Sequence, residues 1–158
     1  MKTATLTTIK KELAGLPTEE LQKILIRLAR YKQENKELLS YLLFESGDEH
    51  AFIQSVSEQI EAELSKVNKS SLYLAKKTIR KVLKMTKKYI RYSGKKETEV
   101  ELLIFFCKKL QETNLPFQDS KVLLNLYQRQ VENIEKALAG LHEDLQYDYE
   151  SEVDALKI

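Results

Sequence analysis

The 158 residues suit one domain, and an apolar fraction of 42% with 32% charged residues is typical of a globular helical protein. Four glycines and two prolines are too few for the turns of a β-rich fold, and one cysteine excludes an internal disulfide. No apolar run approaches the ~20 residues of a membrane span, and the first residues lack the apolar segment of a secretory signal. We therefore expect a single cytoplasmic domain over residues 1–158.

Helical periodicity of apolar residues runs through nearly the whole chain. The first helix is predicted from about Thr8 to Ala14, and Gly15 fits the left-handed position that often ends a helix. The second helix begins near Pro17, and the third runs from about Asn35 to Glu45. Their apolar faces consist of Leu21, Ile24, Leu25 and Leu28 in the second helix and Leu38, Leu39, Leu42 and Leu43 in the third.

The next three helices are predicted from capping patterns and a glycine. The segment Ser46–Glu49 has the spacing of a capping box, which would begin the fourth helix. The fifth helix covers residues 71–93 and ends at Gly94, and Thr98–Glu101 offers another capping box for the sixth. Since the sixth helix is apolar around most of its circumference, we expect it at the centre of the core.

The C-terminal region leaves two alternatives open. Asp119 or Ser120 caps a seventh helix, and its apolar stripe continues from Leu123 to Leu145 through Gly140 without changing phase. The region is therefore either one long helix or two helices that meet at a corner at Gly140. The predicted fold is all-α, with seven or eight helices in an antiparallel bundle or a short curved array of helical hairpins.

Charge is distributed unevenly along the sequence. Between Lys66 and Lys96 lie twelve basic residues and no acidic one. Because the whole chain carries +2, the remaining 14 basic and 24 acidic residues sum to −10. The opposite pole is the C-terminal region, whose acidic residues are Glu132, Glu135, Glu143, Asp144, Asp148, Glu150, Glu152 and Asp154.

The fifth helix is predicted to have an apolar side and a basic side. At ~100° per residue its apolar residues cluster on one side, and eight basic residues cover roughly 140° of the other. These eight are the candidate nucleic-acid or anion-binding residues: Lys76, Lys77, Arg80, Lys81, Lys84, Lys87, Lys88 and Arg91. Their mutual repulsion can be offset by carboxylates of this chain, by the phosphates of a nucleic acid, or by an anionic protein or membrane surface.

Two details bear on nucleic-acid binding. Lysine outnumbers arginine ten to two in the basic run, although arginine makes the bidentate contacts to phosphates and bases. Tyr89 is predicted to face the core, which leaves Tyr73 and Tyr92 as the aromatic residues able to stack on a base. Binding of DNA or RNA is therefore expected to be indifferent to sequence.

The sequence offers no convincing catalytic site. His50 and His142 stand directly beside acids, which favours surface capping clusters over metal sites because ligands on one helix face are three or four residues apart. Cys107 lies in an apolar run that favours core packing over a nucleophile. We expect a non-enzymatic interaction or scaffold module without cofactor or metal, which binds a protein partner or itself; the alternative is sequence-nonspecific binding of DNA or RNA.

The opening of the chain resembles a known group of proteins. Three sequence segments carry the resemblance: Ile9-Lys10-Lys11-Glu12-Leu13, Leu16-Pro17-Thr18-Glu19-Glu20-Leu21 and Lys36-Glu37-Leu38-Leu39-Ser40-Tyr41-Leu42-Leu43-Phe44. Over this first third the sequence is similar to an all-helical family of Bacteroidetes-type bacteria that has no assigned activity. The resemblance implies a helical fold and supplies no functional residues.

Overall fold

The computed structural model describes residues 1–116 and 119–158, which contain eight α-helices, one π-helix and no strand. The predicted all-α class is therefore confirmed. The elements are α1 (Leu6–Ala14), α2 (Thr18–Tyr31), α3 (Gln33–Ser40), the π-helix (Tyr41–Glu45), α4 (Glu49–Leu64), α5 (Leu72–Ser93), α6 (Lys96–Glu112), α7 (Lys121–Leu138) and α8 (Glu143–Ala155). They form two compact units, Met1–Phe44 and Glu45–Ile158, and the expectation of one domain stays a prediction.

In the N-terminal unit, α2 and α3 pack as a helical hairpin. The break between them is at Lys32, whose backbone is extended, and the Asn35 side chain donates a hydrogen bond of 2.8 Å to the Leu28 carbonyl at the end of α2. The predicted third helix thus begins two residues earlier than expected, at Gln33, and its final turn is π-helical.

The prediction of a left-handed Gly15 was wrong. Gly15 has φ −91° and ψ −3°, within the right-handed region. Its amide donates to the Glu12 carbonyl at 3.2 Å, so α1 ends in a tight turn that needs no left-handed residue. Pro17 follows two residues later in an extended conformation as the N-cap of α2.

In the C-terminal unit, α6 packs against α4, α5 and α7, and α8 packs against α7. The predicted central position of α6 is confirmed, because it packs against three helices and its buried residues cover about 240° of its circumference. They are Thr98, Val100, Leu102, Leu103, Ile104, Phe106, Cys107 and Leu110.

Both predicted capping boxes were wrong, and for a shared reason. Asp48, not Ser46, caps α4 by accepting a hydrogen bond of 3.1 Å from the Ala51 amide. Thr98 lies inside α6, fully buried, and its hydroxyl donates to the Glu49 carboxylate at 2.6 Å. Lys95 donates to that carboxylate at 2.8 Å. Glu49 therefore holds the corner between α5 and α6, a tertiary role that its local spacing does not reveal.

Three other helix ends follow the prediction. Gly94 adopts the left-handed conformation (φ 67°) after α5, and Ser120, rather than Asp119, caps α7 by accepting from the Leu123 amide at 3.4 Å. The chain turns near Gly140 between α7 and α8. Of the two alternatives for the C-terminal region, the structure therefore has two helices that meet at a corner. His142 caps α8, its Nδ1 accepting a hydrogen bond of 3.3 Å from the Asp144 amide, as the capping interpretation predicted.

Candidate polyanion-binding surface

The helix α5 has the two-sided character that its sequence predicts. Ser71 caps its start, and the helix continues for 22 residues to Ser93. One side is buried in the C-terminal unit through Ala75, Ile79, Val82, Leu83 and Thr86. The Thr86 hydroxyl donates to the Val82 carbonyl at 2.9 Å, so this buried polar group is satisfied. Burial of this side fixes the orientation of the basic side.

The eight predicted residues lie together on the other side of α5, and we call them the basic face. Lys77, Arg80, Lys81, Lys84 and Arg91 are exposed. Lys76, Lys87 and Lys88 lie nearer the flanks and are half-buried. Their long aliphatic stems cover neighbouring apolar surface while the charged ends reach solvent, which is the ordinary behaviour of lysine at such positions.

A carboxylate of α4 pairs with the basic face. The Nζ of Lys81 lies 3.4 Å from Oε2 of Glu63 on α4, and Glu63 is also hydrogen-bonded to Lys66. The hydrogen bond from Lys66, and after it the one from Lys81, lowers the pKa of the Glu63 carboxyl. Because the Lys81 side chain is 76% exposed, this contact stays accessible to competing anions.

The ion pairs made by the acids of the C-terminal region lie away from the basic face. Glu135 and Asp154 pair with Lys157 at 3.2 and 2.8 Å, and Glu152 pairs with Lys108 on α6. Within residues 1–116 and 119–158, no ion pair joins an acid of α7 or α8 to the basic face. Glu135, Glu152 and Asp154 therefore form their ion pairs with Lys108 and Lys157 and not with the lysines and arginines of α5.

A groove of about 610 Å³ lies along the basic face, between α5 and α7. Its walls are Arg80, Leu83 and Lys87 from α5 and Val122, Asn125, Leu126, Arg129, Gln130, Glu132 and Asn133 from α7. The groove therefore holds three cations and one carboxylate. The Gln130 side chain, 3% exposed, donates to the Leu126 carbonyl at 2.8 Å and accepts from Asn133 at 3.4 Å. The buried amide in the groove wall is therefore hydrogen-bonded at both its nitrogen and its oxygen.

Sequence reasoning missed Arg129 and the carboxamides of Asn125 and Asn133. Each is an ordinary polar residue on the outer side of α7, and no local pattern marks it. These side chains join the candidate surface because α7 lies across the groove from α5. No periodicity of either helix alone predicts that proximity.

The aromatic residues of α5 are arranged largely as expected. Tyr89 is half-buried; its ring contacts Phe52 edge-on at 6.2 Å, and its hydroxyl donates to Gln59 at 3.1 Å. Tyr92 meets the edge of Tyr89 at 6.0 Å, and the Lys88 ammonium lies 5.1 Å from the Tyr89 ring centre. Tyr73, 77% exposed, is the aromatic side chain most open to solvent on this helix.

The described residues show no arrangement of metal ligands. Among them there is no group of three or more His, Cys, Asp or Glu side chains able to hold an ion. Each helix in this part of the chain is too short or too polar to cross a membrane.

Cys107 is fully buried, and burial raises the pKa of its thiol to about 12. The thiolate is the reactive form, so we expect a chromogenic disulfide reagent to leave the native protein unlabelled at about pH 8. The same reagent should titrate one thiol per chain after unfolding in guanidinium chloride. Rapid stoichiometric labelling of the native protein would contradict the assignment of Cys107 to the core.

Comparison with protein-family models, curated proteins and solved structures found no match to this chain. The resemblance of its first third to a helical family of Bacteroidetes-type bacteria therefore stays a prediction.

Proposed function

We propose that this chain is a non-enzymatic cytoplasmic interaction module whose C-terminal unit binds DNA or RNA without sequence preference. The ligand lies along the basic face of α5 and the adjoining groove. One observation carries the proposal: six cations on one helix side make no ion pair with any described residue of the chain. They are Lys76, Lys77, Arg80, Lys84, Lys87 and Arg91.

The dimensions of the basic face suit a nucleic-acid backbone. From Lys76 to Arg91 the helix rises about 22 Å, which matches about seven base pairs of duplex. Successive cations on the face are three or four residues apart, so their spacing is about 5–6 Å. A phosphate backbone that follows α5 meets a cation at nearly every helical turn.

The residue types favour backbone contacts over base contacts. Lysine is a point charge without the planar fork that reads a guanine edge, and six of the eight residues of the basic face are lysines. Arg80 and Arg129, both lining the groove, are the residues suited to bidentate contact with a phosphate. The proposed binding therefore depends on charge and salt rather than on sequence.

The direct test is a titration of labelled duplexes of about 20 base pairs, longer than the basic face, read by fluorescence anisotropy. The full chain should bind two unrelated sequences equally. The variant Lys77→Glu/Arg80→Glu/Lys84→Glu reverses three exposed cations, and we expect its affinity to fall about 100-fold or more.

A matched control separates the surface from the net charge. The variant Lys2→Glu/Lys10→Glu/Lys11→Glu changes three exposed lysines of the N-terminal unit, and its net charge changes by the same amount. It should retain most of the wild-type affinity. Equal losses in the two variants would refute the assignment to α5, and no binding by the wild type at low salt would refute the proposed function.

A protein partner is the second candidate ligand. It is favoured by the exposed apolar residues of α1, α2 and α3, none of which belongs to the basic face. Binding through such residues should respond little to salt, because apolar contacts release no counterions. The salt dependence of complex formation therefore distinguishes the two candidates.

A further inference from the structure

The three α-helices of the N-terminal unit have no buried residue; Tyr41, in the π-helix that follows them, is buried. In α1, α2 and α3, all of them described, every side chain is at least partly exposed. On α2 the apolar side chains Ile24, Leu25 and Leu28 are 38%, 48% and 51% exposed. A unit of this size gains little stability from burying its own apolar side chains. Oligomerisation is a common way in which such small helical units are stabilised.

The apolar stripe of α2 is symmetric about its centre. Leu21, Ile24, Leu25 and Leu28 are placed evenly around the midpoint between Ile24 and Leu25. If a second α2 packs antiparallel across a two-fold axis at that point, Leu21 lies opposite Leu28 of the second copy. Ile24 then lies opposite Leu25 in the same way. A self-complementary patch of this kind is what a two-fold symmetric interface requires.

The charges beside the stripe follow the same symmetry. Glu20 and Arg27 lie about 20° apart on one flank of the stripe. In the antiparallel pair, Glu20 faces Arg27 of the second copy with an axial offset of about 3 Å, and the symmetry makes this contact twice. Glu20 now pairs with Lys23 at 2.7 Å, but both side chains are largely exposed, so that pair is readily exchanged.

The groove between α2 and α3 leaves room for a second copy. It has a volume of about 230 Å³, and Asn35 is the one polar residue among its lining residues; the others are Leu25, Leu28, Ala29, Leu38, Leu39 and Leu42. Two such hairpins facing each other form a four-helix arrangement, in which the apolar side chains of one copy fill the groove of the other. A second copy would place Arg27 opposite Glu20 twice, which an unrelated apolar helix would not do. The charges beside the stripe therefore favour a second copy as the partner.

We infer that this chain forms a homodimer through an antiparallel pairing of α2, with Leu21, Ile24, Leu25 and Leu28 at its centre and Glu20–Arg27 pairs at its edges. This dimer does not depend on the proposed binding of nucleic acid, because no residue of the basic face takes part in it.

The oligomeric state of the full chain in solution tests the inference. Sedimentation equilibrium at tens of micromolar and low salt should give twice the mass of one chain. Glu20→Lys alone or Arg27→Glu alone places like charges opposite each other, and we expect each to weaken the dimer at least tenfold. The double variant Glu20→Lys/Arg27→Glu exchanges the charges across the interface and should restore the wild-type dissociation constant.

Rescue by the double variant separates pairing from loss of helix. Glu19→Lys is the matched control: Glu19 lies in the same turn as Glu20 but on the side of α2 away from the stripe, so its reversal should leave the dimer unchanged. A monomeric wild type overturns the inference. So does a double variant that stays as weak as the single ones, or a Glu19→Lys variant as weak as Glu20→Lys.

Discussion

Raising the salt concentration from about 50 to about 200 mM should weaken duplex binding by this chain about 10³-fold. The expectation follows from the six cations of α5 that are unpaired within the described residues, namely Lys76, Lys77, Arg80, Lys84, Lys87 and Arg91. If each neutralises one phosphate, the logarithm of the binding constant falls against the logarithm of salt with a slope of about −5. Single strands condense fewer counterions, so their slope should be about −4.

The measurement is a set of anisotropy titrations at four salt concentrations, with one duplex and one single strand. The variant Lys77→Glu/Arg80→Glu/Lys84→Glu removes three of the six contacts, so its slope should be about half that of the wild type. The variant Lys2→Glu/Lys10→Glu/Lys11→Glu should keep the full slope. A nearly flat dependence in the wild type would point to apolar binding and contradict the phosphate contacts.

The basic face was predictable because all eight of its residues belong to one helix, so the residue pattern of that helix alone determines it. The residues between Leu72 and Arg91 supply both the apolar side, which fixes the orientation of the helix, and the cations opposite it. The groove was not predictable, because Arg129 belongs to α7 and joins the surface only through packing. The same limit applied to the acids of the C-terminal region: the sequence could not tell whether they lie across α5 or bind elsewhere.

Helix ends show a similar division between local and tertiary causes. Gly94 and Ser120 act as predicted because each satisfies the backbone groups of its own helix. Glu49 has the spacing of a capping-box residue, yet its carboxylate accepts from Thr98 and Lys95, more than forty residues away. A fully buried hydroxyl such as that of Thr98 requires a partner, and this tertiary demand outweighs the local capping pattern.

Replacing Phe106 with alanine should lower the free energy of unfolding by about 3–5 kcal/mol. Phe106 is fully buried within α6, the helix against which α4, α5 and α7 pack. The substitution removes a large apolar side chain from the hydrophobic core. It leaves a cavity that the three neighbouring helices can close only in part. Urea unfolding followed by circular dichroism measures the loss.

The adjacent Phe105 provides the matched control. It has the same side chain on the same helix but is half-buried, with the Lys109 ammonium 5.6 Å from its ring centre. Phe105→Ala should therefore cost only about 1 kcal/mol, from partial burial and a weak cation–π contact. Phe105 lies on the same side of α6 as Glu101, Lys108, Lys109 and Glu112, whereas Phe106 lies about 100° away among the buried side chains. Equal losses for Phe105→Ala and Phe106→Ala would show that α6 is rotated relative to the packing described here.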